Sequence, residues 1–136
     1  MSDYLDIEDL MLSKRDKAYL SVARYFAKKS AARNTHGAVI VKGGRVVGTG
    51  YNKNRNHPLF VSPEHIKSDC SIHAEASAIR DAGNDIKNAT IYVARVNRHG
   101  EDRNSKPCSR CLKLIKESGI KRIVHTTQSG RVDVSN

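Results

Sequence analysis

The sequence predicts an α/β fold, one mixed sheet with helices on its faces, and three observations carry that prediction. Apolar residues recur at helical spacing over Tyr19, Val22, Ala23, Phe26 and Ala27. Runs rich in Val, Ile and Thr follow at 38–41, 45–47, 89–94 and 120–126. Two short helical stretches stand between those runs, giving the order α-β-β-α-β-α-β with one further strand through Val132. The chain has 136 residues, of which 38% are apolar and 28% charged, as expected of one globular domain over 13–136. No apolar run reaches the roughly 18–20 residues of a membrane span.

Residues 1–12 read as an acidic lead-in, loosely held, without the basic start and apolar core of a secretory signal. Ser13 and Asp16 form a capping-box-like start for the first helix, which ends near Ser30. From Gly37 the period changes, and Gly43-Gly44 between two β runs reads as a tight hairpin turn. Residues 51–70 are polar, hold two of the three prolines, and read as a long loop, of the functional or the mobile kind. A helix is expected over 73–82, ended by Gly83, and a strand over 89–94. A charged loop is expected over 97–106, a helix over 108–118 capped by Gly119, and a strand over 120–126. Residues 131–134 are expected to return as an antiparallel edge, because no room is left for the crossover that a parallel strand needs.

Lys and Arg number 24 against 14 acids, for a net charge of +10. Four of those acids fall in the first twelve residues, which hold no Lys or Arg, so 13–136 carries 24 bases against 10 acids. Such a body attracts nucleotides, nucleic acid or acidic partners, and the alternative is a solubilising surface. Three cysteines, two of them in Cys108-Ser109-Arg110-Cys111, exclude a disulfide framework and leave a metal or redox site in a reducing, cytoplasmic setting.

Cys108 and Cys111 sit three apart at a helix start, on the stripe continued by Leu112 and Ile115, so both thiols are expected to face the sheet rather than water. Pro107 fits just ahead of that helix, whose N-terminus favours thiolates. A redox pair or two buried thiols are the competing readings. His73-Ala74-Glu75 opens the other helix. One histidine and two cysteines make three ligands for tetrahedral zinc, with water in the fourth position, which is the pattern of a catalytic rather than a closed structural site. Glu75, two residues from the histidine, is placed to take and deliver that water's proton.

His73-Ala74-Glu75 followed by Pro107-Cys108-Ser109-Arg110-Cys111 resembles the signature of the zinc-dependent cytidine deaminase superfamily, a pattern on record for zinc deaminases. Residues 37–52, Ile72-His73-Ala74-Glu75 with Ala78-Ile79, and Ser118-Gly119-Ile120-Lys121-Arg122-Ile123-Val124 are similar to the deoxycytidylate deaminase branch of phage or bacterial type. Together they cover about 14–127. The resemblance implies a three-layer α/β/α fold with one mixed sheet of four to five strands. It implies one catalytic zinc on His73, Cys108 and Cys111, and Glu75 as the proton shuttle. The Ala74 N–H would bind the pyrimidine carbonyl, the Lys106 carbonyl would accept from the amino group, and Asn52 would contact sugar or base.

Lys53 stands where regulated members of that branch tend to carry a second glycine, which argues against such regulation here. A second, structural zinc would have to draw on Cys70, His57, His65 and His99. The expected reaction is hydrolytic deamination of a deoxycytidine monophosphate-like nucleotide, with Arg33 and Arg103 as phosphate contacts and a homo-oligomer as the assembly. The main alternative is deamination of an unpaired base in single-stranded DNA or RNA. The basic body favours that alternative; the lack of Trp and an aromatic content of 5% oppose it, Tyr51 being the one well-placed platform. Adenine or guanine deamination shares the signature, although Leu112-Lys113 lacks the small residues associated with transfer-RNA adenosine enzymes. A non-catalytic zinc module binding nucleic acid would have no use for Glu75.

Overall fold

The structure, a computed structural model, describes residues 13–30, 35–54, 71–127 and 132–135. The acidic lead-in, Arg33, and all of the predicted loop beyond Asn54 as far as Cys70 lie outside those residues.

Helix α1 (Lys14–Lys28) opens on the expected capping box: Ser13 Oγ accepts from the Asp16 N–H at 3.0 Å, and the Asp16 carboxylate accepts from the Ser13 N–H at 3.3 Å. Strands β1 (Thr35–Lys42) and β2 (Arg45–Tyr51) form the hairpin, with Gly43 and Gly44 at φ 60° and 75°, the double positive φ of a primed turn. Strand β3 (Lys53–Asn54) pairs with β4 (Ser71–Ile72) as a separate two-stranded sheet. Then come α2 (Ala74–Ala82), β5 (Thr90–Val96), β6 (Asp102–Arg103), α3 (Ser109–Glu117), β7 (Arg122–Thr126) and β8 (Val132–Ser135).

The main sheet runs β2-β1-β5-β7-β8, with β6 alongside β5. It is mixed: β5 and β7 are parallel and every other pair is antiparallel, including the predicted return through Val132. Five strands make the main path, as expected, and β6 adds a sixth. The predicted loops at 97–106 and 51–70 are corrected where β6 and β3 stand. Two-residue strands carry no period of their own, and they exist because β5 and β4 offer them partners.

Alternation along the central strands sorts the core into two layers. Val39, Val41, Tyr92, Ala94 and Val124 face Leu20 and Ala23 of α1. Ala38, Ile40, Ile91, Val93 and Ile123 face Ala74 and Ala78 of α2 and Ile115 of α3. Helix α2 lies on β2 at backbone distance. A Cβ at Gly50 would stand 2.6 Å from the Ala78 nitrogen and 2.7 Å from the Ala74 carbonyl oxygen, and one at Gly48 would stand 2.5 Å from the Ala78 oxygen. The glycines of β2 and the alanines of α2 are therefore matched partners.

On the other face, Asp16 joins α1 to the sheet. Its carboxylate takes both arms of Arg122 at 2.8 Å each and the Tyr92 hydroxyl at 2.5 Å. The bonds from Arg122 hold the Asp16 carboxyl well below the usual carboxylate range, against the opposing effect of burial. Burial, with the Asp16 charge beside it, pushes the Tyr92 phenol above its usual range. A carboxyl depressed in the folded state contributes stability above its unfolded pKa of about 4, and that contribution drains away as pH falls further. Asp16→Asn is expected to cost about 2–3 kcal/mol at pH 7, somewhat under the range for breaking a fully buried pair because Arg122 stays partly wetted. Thermal melts between pH 7 and 3 should show the wild type losing much of that advantage below about pH 4. Equal acid sensitivity in the two proteins would remove Asp16 from this role.

Candidate metal centre and active site

Two helix N-termini meet at this site. His73 is the N-cap of α2 and Cys108 the N-cap of α3, both with extended backbone (φ −73°, ψ 148° and φ −69°, ψ 168°). Neither side chain caps its own helix, although N-cap positions favour Ser, Thr, Asp or Asn for that purpose. The backbone instead starts each helix, through Ser77 N–H to the His73 carbonyl at 3.0 Å and Leu112 N–H to the Cys108 carbonyl at 2.7 Å. The freed side chains turn toward each other. His73 Nδ1 lies 3.2 Å from Cys111 Sγ and 3.8 Å from Cys108 Sγ, and all three donor atoms lie within 4.8 Å of one another. Tetrahedral zinc with ordinary bond lengths needs a nitrogen–sulfur edge of about 3.6 Å, so the three residues fit one zinc ion and leave its fourth position open.

Burial is graded across the site. Cys111 and Glu75 are buried, His73 is half-buried and Cys108 is exposed. The expectation that both thiols face the sheet is corrected for Cys108, which precedes α3 as its N-cap and so does not share the stripe of Cys111, Leu112 and Ile115. Burial pushes the Cys111 thiol far above its usual range, with the Glu75 and Cys108 charges adding to the rise and Arg110 opposing it. The thiolate-favouring effect expected of the helix N-terminus is thus outweighed at Cys111. Burial also pushes the Glu75 carboxyl up, against its own backbone N–H and the His73 charge. Glu75 therefore acts electrostatically on both His73 and Cys111.

Residues 13–127 match the family described as the cytidine and deoxycytidylate deaminase zinc-binding region. The chain belongs to that family. It is a hydrolytic deaminase acting on a C–N bond, with zinc as its cofactor. Among its relatives, deoxycytidylate deaminase of Mycobacterium phage D29 is 34% identical over 132 residues, covering 84% of this chain and 95% of that protein. Riboflavin biosynthesis protein RibD of Aquifex aeolicus is 33% identical over 127 residues, covering 86% of this chain and only 29% of that protein. In fold, the deaminase superposes on a cyanophage S-TIM5 dCMP deaminase solved with dCMP and dUMP, at a TM-score of 0.64 and 21% identity over 87% of this chain and 85% of the other.

The structure places the remaining predicted residues unevenly. Ala74, fully buried, begins α2, where first-turn N–H groups have no partner within the helix. Asn52 is buried and precedes β3. Since Lys53 pairs with Ile72, Asn52 and His73 flank the end of one ladder. Its Oδ1 accepts from the His36 N–H at 2.8 Å and its carbonyl from Ser30 Oγ at 2.8 Å, so Asn52 also ties α1 and β1 to the site. Lys106 is exposed, one residue before the buried Pro107. Arg103 lies on β6, where its guanidinium meets its own hairpin: the Asp102 carbonyl at 3.2 Å and the Glu101 carboxylate at 3.8 Å. Of the ligands suggested for a second metal, His57, His65 and Cys70 lie outside the described residues and His99 is exposed; among the described residues one group, His73–Cys108–Cys111, can hold a metal.

Hydrogen bonds hold the loop leading to the cysteines. Ser105 and Thr126 are buried hydroxyl residues that tie this loop to β5 and β7, and no spacing or composition in the sequence marks them. Cys111→Ser and Cys108→Ser are expected to lose bound zinc and to melt at lower temperature, because the metal binds only the folded chain. Stoichiometric zinc in either variant by elemental analysis would exclude that residue as a ligand.

Proposed function

We propose that the protein converts deoxycytidine monophosphate to the deoxyuridine monophosphate with release of ammonia. The buried carboxylate of Glu75, in electrostatic reach of a three-donor metal site with an open position, carries this reading. A match running along 95% of a phage deoxycytidylate deaminase supports the substrate class.

Zinc held by His73, Cys108 and Cys111 would supply an acidified water at neutral pH. Glu75 would take a proton from the attacking water and deliver it to ring N3. With the water oxygen bonded to C4, Glu75 would take that oxygen's remaining proton and pass it to the exocyclic amino group, so that the exocyclic C4–N bond breaks, the C4 carbonyl forms and ammonia leaves. The Ala74 N–H holds the pyrimidine carbonyl, the Lys106 carbonyl accepts from the exocyclic amino group, and Asn52 contacts the sugar or base. Burial of Glu75 limits the access of bulk water to the proton it carries.

A second reading, deamination of a base in a single strand, is favoured by the basic body and by a groove of about 490 Å³ lined by Lys28, Ser30, Arg98 and His99 among others. Incubating zinc-loaded protein with deoxycytidine, its monophosphate, deoxyadenosine monophosphate and a cytosine-bearing single strand separates the readings. The monophosphate is expected to be the preferred substrate, and turnover confined to the single strand would replace this reading by the second. Glu75→Gln keeps the shape but cannot move protons, so it should retain zinc and lose at least about a hundredfold in kcat. Near-normal turnover would place the shuttle elsewhere. Arg103 is held by a bond to its neighbour's carbonyl and by a wetted ion pair with Glu101, the kind worth little energetically. Arg103→Ala should therefore raise KM for the monophosphate severalfold and leave the nucleoside nearly unchanged. Equal effects on both substrates would take Arg103 out of phosphate binding.

A further inference from the structure

Strands β5 and β7 run parallel from Thr90 beside Arg122 to Val93 beside His125, and there they part. Beyond that rung β5 turns to β6, pairing Arg95 with Arg103 and Val96 with Asp102. The parting strands would leave backbone groups of both unpaired inside the protein, which is costly. Two hydroxyls fill the fork. Ser105 Oγ accepts from the Thr126 N–H at 2.8 Å and lies 2.8 Å from the Val93 carbonyl oxygen, while the Ser105 N–H donates to the Thr126 carbonyl at 2.9 Å. Thr126 Oγ1 donates to the Arg103 carbonyl at 2.7 Å, accepts from the Arg95 N–H at 3.2 Å, and stands 2.8 Å from Ser105 Oγ. Ser105 is 1% exposed and Thr126 0%.

Two residues, Lys106 and Pro107, separate this anchor from the first thiol. Pro107 has a fixed φ, and Lys106, preceding it, is confined to extended backbone. Cys108 is set by its N-cap conformation. Little freedom is left between Ser105 and Cys108, so a displacement at the fork passes directly to the Lys106 carbonyl and the Cys108 sulfur. Cys111, by contrast, is seated in the core by α3.

We infer that the Ser105–Thr126 hydroxyl pair positions the metal-binding loop, setting where Cys108 stands relative to His73 and Cys111 and where the Lys106 carbonyl meets substrate. The two act through the loop and are positioning residues. The inference rests on Cys108 being a zinc ligand and, for its kinetic part, on the proposed reaction. Outer groups that orient metal ligands typically change metal affinity or activity by 10–100-fold when removed.

The test compares full-length Ser105→Ala, Thr126→Val and Thr126→Ser with the wild type. Three quantities are read: zinc affinity by competition with a chromophoric chelator, the absorption of the cobalt(II)-substituted proteins, and kcat and KM for deoxycytidine monophosphate. Ser105→Ala and Thr126→Val are expected to bind zinc at least tenfold more weakly or lose at least tenfold in kcat, with displaced thiolate–cobalt bands. Thr126→Ser, which restores the hydroxyl, should stay within about threefold of the wild type with unshifted bands. Variants that melt lower yet keep wild-type affinity, spectrum and kcat would overturn the inference and leave the pair a merely structural role. Should Ser105→Ala fail to fold, the Thr126→Val and Thr126→Ser pair decides. If the wild type does not deaminate the monophosphate, the proposed reaction falls, and the zinc and cobalt measurements still decide the positioning.

Discussion

The backbone-distance seating of α2 on β2 governs the rest of the site. With Gly48 and Gly50 against Ala74 and Ala78, the helix has little freedom to slide or lift, because any side chain at either glycine would collide with helix backbone. That seating carries His73 at the N-cap and Glu75 in the first turn to a defined place beside the sheet. Metal ligation tolerates errors of a few tenths of an ångström, so a site divided between two helices needs this kind of contact under at least one of them. Side-chain packing alone would allow rotamer changes to move the helix; backbone against backbone does not.

The second half of the site is held by different means. Helix α3 is secured through Ile115 and Cys111, whereas the chain entering it is exposed on both sides of Pro107, at Lys106 and Cys108. Apolar burial cannot place such a loop, and hydrogen bonds to the ends of β5 and β7 do so instead. The graded burial has a chemical consequence. Cys111 and Glu75 sit in a medium that disfavours their charged forms, so metal binding must supply the free energy to ionise the thiol. The exposed Cys108 side leaves an approach from solvent, which a metal or substrate requires.

Across the sheet, Asp16 serves α1 twice, as the capping-box carboxylate and as the acceptor for Arg122 and Tyr92. One side chain thereby links the start of the first helix to β5 and β7, the same strands that carry the Ser105–Thr126 fork at their other end. Ser30 and Asn52 close the far end of α1 against β1. The site is thus built on strands fixed from both faces.

Much of this protein was legible in its residues, because the signals were local and periodic. Helical spacing over 19–27, the Gly43-Gly44 turn and the Ser13–Asp16 box each constrain the chain within a few residues, and the structure follows all three. His73, Cys108 and Cys111 were also readable as a possible metal group, since ligand chemistry restricts residue type and spacing sharply, and the structure brings their donor atoms within 4.8 Å of one another. The lengths and conformations of the two N-cap residues were not, so the exposure of Cys108 came only with the fold. Nor could sequence show that Asp16 meets Arg122, that two-residue strands form at β3 and β6, or that Ser105 and Thr126 fill a fork between parting strands. Those contacts join residues far apart in the chain and depend on angles and distances set by the whole sheet. By itself the sequence determined the longer helices and strands and which donor residues could share a metal; tertiary structure decided how those residues are aimed, because aim is a matter of long-range geometry that no local pattern encodes.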